Sequence, residues 1–383
     1  MSKSCERVGE ALVSPPMKKL LLLGLLIAVE AAGADLDAPY VMRTPAGKFE
    51  AWTVEQTAEG AKKRVVALPP GGKFTVGAVG DLPAFEVTLR PPPPTASDTV
   101  KTRAKAPLFV VADTHGEYEI LADMLVRHHV VDGKLHWSFG RGYLVILGDA
   151  FDRGAHHTEI LWLIYALEAE ARKAGGGVLF VLGNHETMVM RDDLRYLNPK
   201  YRQSAAILGV DSYSQLFGPD SVLGQWLRTR AAVLKVNDLL CLHGGISREL
   251  VERKLSLADI NGAIRSVLDD RMPVVETERE RAEFLFGEAG PLWYRGYFSD
   301  APGGVQSRAE DIDQALRFFG VSRILVGHTR VPSITPLFGG KVIATQVYPR
   351  RREDGSVEFE ALSIRDGVAY RARPDGSSER LAY

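Results

Sequence analysis

Five short apolar runs, each stopped by a residue that can hold a cation, constrain this chain more than any other feature of its sequence. They are "LFVVADTHG", "YLVILGDAFDRG", "VLFVLGNHE", "LLCLHGG" and "RILVGHT". Continuous Val/Ile/Leu runs of this length read as buried strands, while "EYEILADMLVRHHV" and "TEILWLIYALEAEARKAGGG" carry apolar residues at helical spacing. Strands alternating with helices imply a layered α/β domain, whose ligands bind at the carboxyl ends of the strands. Each run then delivers its polar end to one crevice: Asp113 and His115, Asp149, Asn184 and His185, His243, and His328. One strand-end Asp or His is usually a turn former. Five together, each beside a glycine that lets the backbone turn sharply, are hard to reach by chance.

Carboxylates, imidazoles and an amide oxygen, with no thiolate, suit Mn²⁺, Fe or Zn²⁺. Taken by strand, Asp113, His115 and Asp149 can hold one ion, and Asp149, Asn184, His243 and His328 a second. Asp149 would be shared, because paired metals sit only about 3.5–4 Å apart and need a common oxygen donor. The stretch "LGDAFDRG" adds Asp152 and Arg153 beside Asp149. Two carboxylates at the rim of an apolar sheet need positive partners, and Arg153 can neutralise only one.

Around this core the chain divides into segments. Residues 17–34, "MKKLLLLGLLIAVEAAGA", have the basic start, short apolar run and small-residue end of a cleavable secretory signal. Met17 would be the true start and 1–16 an upstream extension. The expected location is the periplasm or the medium, with no membrane anchor after cleavage. Residues 35–90 read as a small β-rich module, 91–106 ("PPPP" and its flank) as a stiff linker, and 107–383 as the main domain, with a helical cap at about 187–230. The end of the chain reads as hairpins, "KVIATQVYP", "VEFEALSI" and "VAYRARP", turned by Asp-Gly pairs. A net charge of −1 gives no basic footprint, so no nucleic-acid partner is expected. Two cysteines, Cys5 and Cys241, make no disulfide framework. His128-His129 read as helix-end residues, His156-His157 as a solvated loop, and Gly175 to Gly177 as a helix cap rather than a phosphate loop.

The order D-x-H-G, G-D-x-x-D-R-G, G-N-H-E, H-G-G, G-H-T resembles the calcineurin-like metallophosphoesterases over about 107–347, and in particular their phosphoprotein-phosphatase branch. "TEILWLIYALE", "GNHETMVMRDDLRYLNPKY", "HGGIS" and "GPLWYRGYF" look most like the bacterial Shewanella-like protein phosphatases. The resemblance implies a central β-sandwich of mixed sheets flanked by helices, and two divalent ions, manganese favoured. It implies hydrolysis of phosphomonoesters by a metal-bridging hydroxide, on a phosphorylated protein or a small phosphoester. Asp152 and His185 would form an acid pair that protonates the leaving oxygen. Arg153, Asn184 and Arg295, the last in "WYRG", would hold phosphoryl oxygens. Ala112 stands where the family usually has Gly or Ser. A dinucleotide polyphosphate hydrolase, such as one acting on diadenosine tetraphosphate, is the enzymatic alternative; a non-catalytic metal-binding envelope protein is the other.

Overall fold

The first apolar run forms the strand Leu108–Val111, with every residue buried, at the heart of a six-stranded sheet. Tyr143–Ile146 and Gly177–Phe180 follow in parallel on one side. On the other side Ala361–Arg365 pairs with it antiparallel and is extended by Val368–Ala372 and Ser378–Arg380. A second six-stranded sheet runs Thr335–Leu337, Val342–Ala344, Arg323–Val326, Leu239–Leu242, Val233–Val236 and Thr99–Val100. Both are mixed, and helices flank them, as the expected architecture requires. The computed structural model describes residues 36–268, 273–299 and 306–383, so the expected signal segment lies outside the described residues. No helix among the described residues is long and apolar enough to cross a membrane.

Local chemistry sets the boundaries. The helix His157–Ala174 stops at Gly175, whose φ of 81° suits a residue without Cβ; the Gly176 N–H then bonds back to Ala171 O at 2.9 Å. The three glycines are thus a cap, as read. Asp366 and Gly367, both at positive φ (51° and 77°), make the two-residue turn between Ala361–Arg365 and Val368–Ala372.

The residues after 35 form a three-stranded sheet, Tyr40–Arg43, Phe49–Thr57 and Gly60–Leu68, and the hairpin Lys73–Val76 with Phe85–Thr88. These strands share the core of the helices beneath them. Tyr40 meets Tyr213 and Phe217 edge-on at 6.0 and 5.9 Å, Phe74 meets Trp162 at 4.8 Å, and the Trp162 indole N–H donates to Pro39 O at 2.7 Å. The stretch read as a cap, about 187–230, holds the helices Pro199–Leu208 and Val222–Arg228 and the end of Asn184–Met190.

Two segments differ from the sequence reading. The stretch 91–106 contributes Thr99–Val100 as an edge strand, and Ala96 N–H bonds Thr229 O at 2.8 Å. Prolines lack the N–H that a ladder needs, so only the part after them joins the sheet. Val342–Ala344 is no partner of the C-terminal hairpins: it lies in the second sheet, parallel to Arg323–Val326 and antiparallel to Thr335–Leu337. A three-residue apolar run carries no signal for which sheet it joins.

Candidate metal and phosphoryl site

The five polar ends do converge, on backbone held in an unusual conformation. Asp113, His115, Asp149, Asp152, Arg153 and His328 have positive φ, between 43° and 68°. For residues bearing a Cβ such geometry is unfavourable by roughly 1–2 kcal/mol each, so the surroundings must impose it. Glu186 does much of this. Its buried carboxylate accepts the N–H groups of Gly183 (2.7 Å), Asp149 (2.8 Å), Ala150 (2.7 Å) and Phe151 (3.3 Å). Close packing does the rest: a Cβ on Gly183 would fall 2.2 Å from Asp149 Oδ1, and one on Gly327 would fall 2.4 Å from Asp113 Oδ2.

Two clusters with metal-ligand geometry share Asp149: His115, Asp149 and His185, and Asp149, His243 and His328. Asp149 Oδ2 lies 3.1 Å from His243 Nε2, 3.7 Å from His115 Nε2 and 3.8 Å from His185 Nε2. Asp113 stands at the seam, 4.0 Å from His115 Nε2, its carboxylate accepting the His328 N–H at 3.0 and 3.3 Å. Asn184 Oδ1 is 2.8 Å from His243 Nε2.

The donor set fits a cation. His115 Nδ1 is 2.9 Å from Phe151 O and His243 Nδ1 is 2.7 Å from Leu147 O, so each ring donates there. That leaves both Nε2 lone pairs directed into the crevice. His243 Nε2 then faces three acceptors, Asp149 Oδ2, Asn184 Oδ1 and His328 Nδ1 (3.2 Å), a gathering of electron pairs that needs either a proton on Nε2 or a cation among them. His328 Nε2 is buried with no hydrogen-bond partner.

Charge follows the same geometry. Burial opposes ionisation of Asp149, but His243, His185 and His115 outweigh it and hold the carboxyl well below its ordinary range. Burial pushes Asp113 up to about 7. Burial works against a charged His243, yet Asp149 and Asp113 prevail and lift it to about 9. Burial dominates at His115, pushed down to about 3, and burial with the charges of His243 and Arg295 holds His328 well below the imidazole range. The site thus gathers an ionised Asp149 with the neutral rings of His115 and His328, and the proton that Asp149 and Asp113 hold on His243 is the one a bound divalent ion would displace.

Beside the clusters, His185 Nδ1 and Asp152 Oδ2 are 2.6 Å apart. Burial lowers His185, but Asp149 and Asp152 overcome it, and the imidazolium persists above its usual range. Arg153 pairs with no carboxylate among the described residues. Its guanidinium lies exposed over the rings of Tyr196 (5.4 Å) and Tyr348 (5.9 Å). Arg295 donates Nη1 to His328 O at 3.0 Å and Thr329 Oγ1 at 3.1 Å, which sets it beside the second cluster.

Three contributors were missed in the sequence. Glu186 stands three residues after Gly183, the spacing of a capping-box acid, and could have been found that way. His157, read as solvated, is fully buried. Tyr348 carries no local signal; only the fold brings its ring within 5.8 Å of His115.

Residues 106–332 match the family model described as calcineurin-like phosphoesterase, and the chain belongs to that family of metal-dependent phosphoric ester hydrolases. Within it the chain is related to the Shewanella-like protein phosphatases. It is 27% identical over 240 residues to Shewanella-like protein phosphatase 1 of Plasmodium berghei, covering 62% of this chain and 64% of that protein. Shewanella-like protein phosphatase 2 of Arabidopsis thaliana is 24% identical over 62% of this chain and 70% of its own length. Among solved structures, the cold-active protein-tyrosine phosphatase of a psychrophilic Shewanella species superposes with a TM-score of 0.77 at 32% identity, covering 90% of this chain and 99% of the other.

Proposed function

We propose that the chain is an exported, dinuclear-metal phosphomonoesterase acting on phosphorylated protein or peptide. The observation that carries this reading is Asp149, one carboxylate shared by two clusters of ligand atoms. Asp113, His115 and Asp149 would hold one ion and Asp149, Asn184, His243 and His328 the other, with manganese preferred. Bound dications would lower the pKa of water and polarise the phosphoryl oxygens. The chain's own side chains do the remainder. Arg153 and Arg295 orient the phosphoryl group and balance its charge, aided by the Asn184 amide. His185, kept protonated by Asp152, gives its proton to the departing oxygen, an effect typically of about 10²–10⁴-fold.

Tyr196 and Tyr348, flanking Arg153, support an aromatic leaving group, because their faces can pack on a phosphotyrosyl ring once its phosphate engages the guanidinium. The solved relative described as a protein-tyrosine phosphatase agrees with this reading.

The test is elemental analysis of the purified protein alongside phosphotyrosyl and phosphoseryl peptides, nitrophenyl phosphate and diadenosine tetraphosphate. Two metal equivalents, with monoesters turned over far faster than the dinucleotide, are expected. Cleavage of the dinucleotide far above every monoester would replace this reading with the polyphosphate hydrolase. No metal-dependent turnover on any ester would leave the non-catalytic metal binder.

A further inference from the structure

The loop that carries Asp152 and Arg153 rests on a buried polar chain leading away from the site. The Asp152 N–H donates to His157 Nδ1 at 3.3 Å, and His157 Nε2 meets the Tyr213 hydroxyl at 2.6 Å. The Tyr213 and Tyr40 hydroxyls are 3.1 Å apart, and Tyr40 donates to Asp37 Oδ2 at 2.6 Å. One set of proton positions serves every link. Nδ1 must accept, so the single proton of a neutral His157 sits on Nε2; Tyr40 gives its proton to Asp37, so Tyr213 gives its own to Tyr40. Burial, reinforced by Lys200 and His156, holds His157 well below the imidazole range and keeps the ring neutral. The ring is stacked on Tyr201 at 3.7 Å and 17°. Lys200 Nζ lies 3.3 Å from Asp37 Oδ1 and donates to Ala155 O at 2.6 Å, tying the far carboxylate to the same loop.

This matters at Asp152, whose φ is 68° and whose Oδ2 must meet His185 Nδ1 at 2.6 Å. An acceptor fixed under its N–H selects that backbone conformation. We propose that His157 is a positioning residue for the Asp152–His185 pair, its tautomer set by the N-terminal strand layer through Tyr213, Tyr40 and Asp37. The proposal rests on the reading of Asp152 and His185 as the acid pair.

An activated phenolate departs without a proton, whereas an unactivated one needs the acid. His157→Leu, His157→Asn, Tyr40→Phe and Asp152→Asn are therefore compared on phenyl phosphate and dinitrophenyl phosphate, with metal content and thermal melting measured alongside. His157→Leu should cut kcat on phenyl phosphate by about 10- to 100-fold and leave dinitrophenyl phosphate nearly unchanged, with metal retained. His157→Asn, which keeps an acceptor near Nδ1, should recover part of that loss, and Tyr40→Phe should lose a smaller part. Equal losses on the two esters in the His157 and Tyr40 variants would mean a purely structural role and overturn the proposal, even if the Leu variant fails to fold. If Asp152→Asn itself shows no selective loss, the acid-pair reading fails and the proposal with it. A selective loss in Asp152→Asn alone overturns only the role of His157.

Discussion

Replacing Glu186 with Gln measures how far the turn bearing Asp149 depends on one buried side chain. In the native chain Oε2 accepts two N–H groups, from Gly183 and Asp149, and Oε1 accepts two more, from Ala150 and Phe151. A carboxamide accepts on one oxygen only, so in either orientation two N–H donors face its NH₂ group. Each orphaned buried donor is destabilising by about 1–3 kcal/mol, which gives about 2–6 kcal/mol for the substitution. One effect opposes this. Burial raises Glu186, and Asp149 adds to the rise, so a neutral side chain also relieves repulsion. The charged His243 and His185 already compensate Asp149, so the relief is the smaller effect, and a loss in the lower half of that range is expected. Against a total stability of about 5–15 kcal/mol this is readily measured. Urea unfolding midpoints of both proteins at neutral pH, with kcat and metal content, form the assay. Glu186→Gln should unfold at lower urea and turn over more slowly. A midpoint equal to or above that of the native protein would refute the reasoning and show that repulsion from Asp149 outweighs the four hydrogen bonds.

Other expectations follow from the same contacts. Burial pushes Asp37 from 3.8 to about 6 against the pull of Lys200. Between those values the folded chain binds a proton that the unfolded chain does not, so stability falls as pH rises through the window, by up to about 3 kcal/mol. Relative to Asp37→Asn, the native protein should gain stability on going from about neutral pH to about pH 4; parallel curves would contradict this. Glu168→Ala leaves Arg230, 2.7 Å away, buried without its partner, and frees Arg90 at 3.1 Å; a loss of about 3–5 kcal/mol is expected in calorimetry or denaturant unfolding. His243→Ala should lower the metal equivalents per chain and reduce turnover by more than the roughly 10–100-fold typical of an outer-shell partner, while melting shows the fold intact. Undiminished metal content would remove His243 from the ligand set.

The strand ends were legible because a buried run that stops at Asp, Asn or His beside glycine leaves little choice of position. Asp113, His115, Asp149, Asn184, His243 and His328 all reach one crevice for that reason. The placement of Val342–Ala344 was not legible, since register between short strands is decided by packing across the sheet. His157 was misread for a related reason. A pair of histidines before a helix reads as solvated until the aromatic rings of Tyr201, Tyr213 and Phe217, distant in sequence, close over it. Arg153 went the other way: the family resemblance assigned it to phosphoryl oxygens, and its guanidinium sits over Tyr196 and Tyr348 rather than on a carboxylate among the described residues.

The antiparallel pairing of Ala361–Arg365 with Leu108–Val111 bears on how this enzyme can be cut. The family match ends at residue 332, which invites expression of that span alone. Such a fragment would bare one whole edge of its innermost strand, an apolar ladder of unpaired N–H and C=O groups. It would also drop Val342–Ala344 from the flank of the strand that carries His328. The recombinant piece should self-associate through that edge, so a working unit has to include Val342–Ala344 and Ala361–Arg365.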